Sequence, residues 1–238
     1  LDGLRRLGDA PSEVSFARGP QGSRCMSAEA LPTHPSGDEF FAYSKHVADP
    51  VRGDLVSAHR RAWRRVAGPG TWWTGAERVA IAAASRTALG CSHCQKRKAA
   101  LSPMTVEGEH DAKGADGLPS AAVDAVHRIV TDATRLSKTW IESLASQGVS
   151  DAHYVELLSV VVSVRSIDSF HRAMGLEPEV LPVPAPGEPS RVRPREAVLD
   201  DAFVPLLPPR CPSPKYEDLY PGPMAPFVIR AMSLVPDA

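Results

Sequence analysis

The stretch from Glu77 to Leu101, ERVAIAAASRTALGCSHCQKRKAAL, constrains the chain more than any other. An alanine-rich apolar segment runs to Gly90 and leads into a Cys-x-x-Cys pair, Cys91 and Cys94. Many alanines leave little side-chain bulk, so neighbouring helices can approach such a segment closely. Two thiols three residues apart can close a disulfide, supply half of a metal site, or lie inert. Deciding among these decides what the protein does.

Helix punctuation surrounds the pair. Thr74 with Glu77 three residues on is the capping-box arrangement, so a buried helix is expected from there to Leu89. Gly90 suits a left-handed C′ position. Cys91 would open a second helix running through Leu101, with Pro103 near its end. Upstream, Pro50 to Ala67 reads as a helix with Val51, Leu55, Ala58, Ala62 and Val66 along one stripe, and Gly68-Pro69-Gly70 ends it. Downstream, helices are expected from Pro119 to Val130 and from Ser137 to Gln147. A long apolar helix follows from Tyr154 to Met174, capped by Ser150 and stopped by Gly175. Its run Val160-Val161-Val162 would also suit a strand, but the length and stop signals favour helix.

These elements predict an all-α body of about six helices. The helices 76–89 and 154–174 are too apolar all round for a surface position and are expected to pack together at its centre, burying Ile81, Ala84, Leu158 and Val161. Trp63, Trp72, Trp73 and Trp140 read as core or interface anchors. Three regions are expected: an extension segment at 1–37, the helical domain at 38–176, and a Pro-rich arm with a short terminal helix at 177–238. Met26 reads like a natural start, which makes residues 1–25 an upstream arm and Cys25 incidental. The C-terminal arm holds most of the prolines of the chain and ends in a short helical segment, 226–235.

Composition narrows the partners. The 238 residues carry a formal charge of −1, so no global field points to nucleic acid or an anionic membrane. No apolar run approaches the roughly 20 residues that span a bilayer, and no secretory signal pattern is read. Four cysteines, Cys25, Cys91, Cys94 and Cys211, do not make a disulfide framework. A reducing cytoplasm is the expected setting, where Cys-x-x-Cys is more often catalytic or metal-binding than structural.

At the first turn of a helix Cys91 lies near the positive end of the dipole, which lowers a thiol pKa. Cys94 is one turn on, His93 lies between them, and Lys98 shares the face of Cys94. This is a reactive-thiol environment. A zinc site needs four ligands; Cys211 and His110 could complete one, but no second Cys-x-x-Cys or His-x₃-His supports it. No metal and no cofactor are therefore expected.

An apolar helix introduced by Glu, followed by Gly90-Cys91-Ser92-His93-Cys94 at the head of the next helix, resembles the AhpD-like alkylhydroperoxidases of the carboxymuconolactone decarboxylase superfamily. The resemblance covers residues 40–176 as helix order and is specific in residues 74–101. It implies an AhpD-like helical fold with Cys91 and Cys94 as the redox pair and His93 as a further site residue. It also implies a hydroperoxide or disulfide as substrate, a reductant protein or small dithiol as partner, and a homo-oligomer. The family pattern places Glu twelve residues before the first Cys and His four after the second. Here those positions hold Val79 and Lys98. Glu77 is the nearest carboxylate, and Lys98 can stabilise a thiolate by charge but shuttles protons poorly near neutral pH. The candidate catalytic set is thus Cys91, Cys94, His93, Glu77 and Lys98. A proton relay would have to be rebuilt from Glu107, Glu109 and His110, or from Glu156, Asp168 and His171. The competing reading is a non-enzymatic helical scaffold or redox-responsive binding protein of the same fold.

Overall fold

Among the described residues six α-helices follow one another through the body of the computed structural model: α1 Gly53–Ala67, α2 Gly75–Thr87, α3 Ser92–Ala99, α4 Ser120–Asp132, α5 Lys138–Leu144 and α6 Asp151–Ala173. A last short helix, α7, spans Phe227–Arg230. The structure describes residues 39–44, 51–208 and 226–238. The expected extension at 1–37, Cys25 and Cys211 lie outside the described residues. Among the described residues the only β pairing is an isolated antiparallel bridge between Val198 and Leu206, so the fold is all-α. None of these helices is long and apolar enough to cross a membrane.

The caps explain the boundaries. Thr74 and Glu77 form the reciprocal capping box of α2: the Glu77 amide donates to Thr74 Oγ1 at 3.3 Å and the Thr74 amide donates to Glu77 Oε2 at 2.8 Å. Ser137 and Ser150 accept from the Trp140 and His153 amides at the starts of α5 and α6. Gly148 and Gly175 take the left-handed conformation after those helices, with φ of 86° and 69°. Gly90 does not. A 3₁₀ turn, Ala88–Gly90, tightens the end of α2 and delivers Cys91 as the extended N-cap of α3. α3 ends at Ala99, where Ala100 becomes extended, short of the expected Leu101.

α2 and α6 pack side by side at the centre, with α1, α4 and α5 around them. Ile81, Ala84 and Val161 are fully enclosed and Leu158 is half-buried. The alanines at 82 and 84 allow this close approach. α6 is not buried all round, however, because Val162 and Ser166 reach solvent. α1 also differs from expectation. It buries His59, Trp63 and Val66, spaced by four and three residues, while Leu55, Ala58 and Ala62 stay half-exposed and Val51 precedes the helix. The large Trp63 ring takes the core, and the small alanines beside it cannot.

Between 177 and 193 the proline-rich arm lies as an extended strap on the helical body of its own chain. Trp63 Nε1 donates to the Val180 carbonyl at 2.8 Å, Ala185 N to Ala67 O at 2.8 Å, and Arg191 N to Thr71 O at 2.8 Å. Proline-rich backbone has few donors of its own, and here the body supplies partners for the Val180 carbonyl and the Ala185, Ser190 and Arg191 amides. These contacts lie at the end of α1 and the turn before α2, so the start of α3 is at the opposite end of α2.

Candidate functional site

Four side chains converge where α2 ends. Cys91 is the N-cap of α3 and Cys94 lies one turn into it. His110 comes from the loop between α3 and α4, and His127 comes from the middle of α4. The two sulfurs and one nitrogen from each imidazole all lie within 4.8 Å of one another. Cys94 Sγ is 3.4 Å from His110 Nδ1 and 3.3 Å from His127 Nδ1, and Cys91 Sγ is 3.8 Å from His110 Nδ1. Both cysteines are free thiols.

The second nitrogen of His110 is held by a carboxylate. His110 Nε2 donates to Asp124 Oδ1 at 2.9 Å. That bond places the ring proton on Nε2 and turns the Nδ1 lone pair toward both sulfurs. Asp124 is itself clamped by Arg97 Nη1 at 2.6 Å and Arg128 Nε at 2.7 Å. Burial alone would raise the Asp124 carboxyl, but bonds from His110, Arg97 and Arg128 hold it well below the usual carboxylate range.

The two thiols differ in electrostatics. Burial raises Cys91, but the amides of Asp111 and Cys94 and the His110 side chain outweigh it and bring the thiol down to about 7. At Cys94 burial dominates, and with Cys91 beside it pushes the thiol up to about 11. His110 is lowered by burial and raised more strongly by Asp124 and Cys91, so it lies above its ordinary value. Burial and the neighbouring His110 push His127 down to about 4, so its ring is neutral.

The sulfurs are nearly closed off: Cys91 is 2% and Cys94 3% exposed, and His127 is fully buried. A cleft of about 180 Å³ between α3 and α4 reaches Cys94 past Leu89, Lys98, Val130 and Thr131. On the other side a larger cleft of about 560 Å³ reaches His110 and Asp124, lined also by His93, Glu109 and Gln147.

The other sequence candidates are placed as follows. His93 is buried beside the cluster and meets the His110 ring edge-on, with centroids 4.8 Å apart. Its Nδ1 faces Gly108, whose φ of 144° and 2.7 Å clearance to that atom leave room for no side chain. Burial and the charges of His110 and Arg97 keep His93 below the ordinary imidazole value. Lys98 is exposed at the mouth of the cleft to Cys94. Glu77 is spent in the capping box at the far end of α2, with roughly 20 Å of helix between it and Cys91 at about 1.5 Å per residue. Val79 is a half-buried core neighbour.

The alternative relay groups on α6 are engaged elsewhere. Glu156 pairs with Arg78 and Asp168 with Arg86, and His171 Nε2 meets the Tyr43 hydroxyl at 3.0 Å. Glu107 and Glu109 are exposed. His110 alone of the rebuilt-relay candidates reaches the thiols. His127 and Asp124 escaped sequence reasoning. The available signal was Asp124-x-x-His127, two polar groups one turn apart on a helix whose other face is apolar.

No family model, curated protein or solved structure matches the chain.

Proposed function

We propose that the chain is a dithiol oxidoreductase of the AhpD-like kind, in which Cys91 and Cys94 cycle between thiols and a disulfide while reducing a hydroperoxide or a disulfide. One observation supports this reading above the rest: His110 Nδ1 lies against both sulfurs while Asp124 holds its other nitrogen. Thiol, imidazole and carboxylate in series form a nucleophile with an oriented proton carrier. The relay that the family pattern draws from positions 79 and 98 is supplied here by a loop histidine and a carboxylate on α4.

In this reading the Cys91 thiolate attacks the peroxide oxygen. The O–O bond breaks, Cys91 becomes a sulfenic acid, and the leaving alkoxide takes a proton from His110 to give the alcohol. Cys94 then attacks the sulfenic sulfur, water leaves, and the disulfide closes. An external dithiol reduces that disulfide and is oxidised in turn, resetting the pair. Attack is assigned to Cys91 because its fixed amide donors make the thiolate. Cys94 borders the cleft, and Cys91 Sγ lies within 4.8 Å of Cys94 Sγ behind it.

The burial of both sulfurs favours a second reading, a redox-responsive binding protein that oxidises without turning over. The test is hydroperoxide and disulfide consumption by the reduced, metal-free protein with a dithiol donor. Turnover that is lost in Cys91→Ser and Cys94→Ser supports the enzyme. Reversible oxidation without turnover supports the sensor. Full turnover in both single variants removes the dithiol reading altogether.

A further inference from the structure

We propose that Cys91, Cys94, His110 and His127 form a tetrahedral site for a borderline-soft divalent cation, with Zn²⁺ the best match. Two thiolates and two imidazoles, with no carboxylate among the ligating atoms, are the donor set that selects zinc over the hard cations magnesium and calcium.

The geometry supports the assignment independently of donor type. Around a tetrahedral zinc with Zn–S of about 2.3 Å and Zn–N of about 2.05 Å, a sulfur and a nitrogen ligand lie about 3.5 Å apart. Three of the four sulfur–nitrogen separations here are 3.3, 3.4 and 3.8 Å, and all four ligand atoms lie within 4.8 Å of one another. Both imidazoles turn the same nitrogen, Nδ1, toward the sulfurs.

The surroundings are those of a ligand set fixed in advance. Asp124 accepts a hydrogen bond from the Nε2–H of His110, the carboxylate–histidine pairing that orients metal-bound imidazoles and raises their basicity. The amides of Cys94 and Asp111 donate to Cys91 Sγ, which stabilises a thiolate ligand. His127 is fully buried and its Nε2 has no hydrogen-bond partner. A metal bond at Nδ1 would give this buried ring a strong partner on its sulfur-facing side, where a neutral imidazole otherwise meets only a thiol. The near-complete enclosure of three of the four residues suits a closed, four-coordinate centre.

The site itself does not rest on the redox reading, but one consequence does. Bound metal and a Cys91–Cys94 disulfide exclude each other. A hydroperoxide and two protons acting on the two metal-bound thiolates give the disulfide, the alcohol, water and the freed cation. On the redox reading the metal therefore holds the pair reduced and silent until it is removed or oxidised.

The experiment uses the reduced full-length chain. Metal-free protein is titrated with Co²⁺ and then with Zn²⁺ in competition. We expect one equivalent of Co²⁺, intense tetrahedral visible bands, and a thiolate-to-cobalt charge-transfer band that Zn²⁺ abolishes. Asp124→Asn, which keeps all four ligands, is expected to weaken affinity about 10- to 100-fold. His127→Ala should lose the tetrahedral spectrum. Should a ligand variant fail to fold, alkylation of the wild-type chain read by mass spectrometry gives the same answer. Zn²⁺ should protect Cys91 and Cys94 from iodoacetamide, and chelation should restore labelling. Substoichiometric binding, a spectrum without thiolate charge transfer, or labelling of the pair indifferent to Zn²⁺ would each overturn the site. Turnover is measured separately on metal-free protein, so metal binding without turnover removes the enzyme reading alone, and turnover without metal binding removes the metal site alone.

Discussion

Glu156 of α6 meets Arg78 of α2 as an ion pair sealed inside the core, with the two side chains 0% and 3% exposed. Glu156 Oε2 also accepts from the Trp72 amide at 2.6 Å, and Arg78 Nε donates to the Arg65 carbonyl at 3.2 Å. The pair thus ties the end of α1 and the Gly-Pro-Gly turn to the central helices. Removing one partner leaves a buried charge alone, which costs about 3–5 kcal/mol. Glu156→Ala and Arg78→Ala are each expected to lower the urea midpoint sharply. Replacing both with methionine should cost less than either alanine variant. A double variant no better than the singles would show that the pair acts through its backbone bonds rather than its charge.

Gly70 lies directly over that pair. A Cβ there would come within 2.0 Å of Glu156 Oε1 and 2.1 Å of Arg78 Nη1. Those side chains are held by partners on both sides and cannot retreat freely. Gly70→Ala is therefore expected to destabilise by about 1–3 kcal/mol, read as a drop in Tm, and Gly90→Ala, which meets nothing, should leave Tm unchanged.

The strap is secured at Gly75. A Cβ there would stand 2.2 Å from the Ala67 carbonyl and 2.6 Å from that of Ala185, the two residues whose backbones hydrogen-bond across this point. Gly75→Val should lift the strap from α1. Limited proteolysis is the readout: the segment 178–193 should resist cleavage in the wild type and become a cutting site in the variant. Equal resistance in both would show that the strap is held elsewhere.

Acid should loosen the fold through histidines away from the thiols. His59 is buried against Phe41 and Phe170, with ring centroids at 5.4 and 5.1 Å. Burial, then the nearby His171, lowers its pKa below 6.5. Burial and Arg191 do the same to His153. Both rings are neutral in the fold and take up protons more readily when unfolded, so stability rises with pH across this window. The contribution is present above pH 6.5 and is lost as pH falls below it toward the folded values. Thermal unfolding at pH 7.5 and pH 5 should show a lower Tm in acid, and His59→Phe should reduce the difference. A difference unchanged in that variant would assign the acid sensitivity to other groups.

The fold was legible where local chemistry acts alone. The Thr74–Glu77 box, the cap at Ser150 and the stop at Gly175 stand in the sequence as written. The side of α1 that turns inward was not legible, because it depends on how much volume the core must fill and Trp63 outcompetes the alanine stripe. Val162 belongs to the side of α6, with Ser166 and Ser169, that faces solvent, and an all-round apolar helix does not tell which side that is. At the site, the Cys pair was visible because both partners sit on one turn. His110 was visible only as one of several polar residues in a loop, and His127 not at all, since 33 residues separate it from Cys94. Chain topology, rather than spacing, brings them together.

Lys98 and His110 offer the sharpest division between sequence and structure. Lys98 occupies the position where the family pattern has its histidine, yet it is exposed at the cleft mouth. His110 touches both sulfurs and carries its own carboxylate. If proton transfer runs through His110, His110→Ala should lower kcat/KM for peroxide or disulfide by about 10²- to 10⁴-fold. Asp124→Asn should lower it less and shift the pH profile, because it alters the orientation and basicity of a group that remains. Lys98→Ala should stay within about twofold of wild type, as befits an exposed charge screened by water. The comparison is made on metal-free, reduced protein at one ionic strength. A Lys98→Ala variant as impaired as His110→Ala would return the relay to position 98 and leave His110 as a neighbour of the thiols rather than their partner.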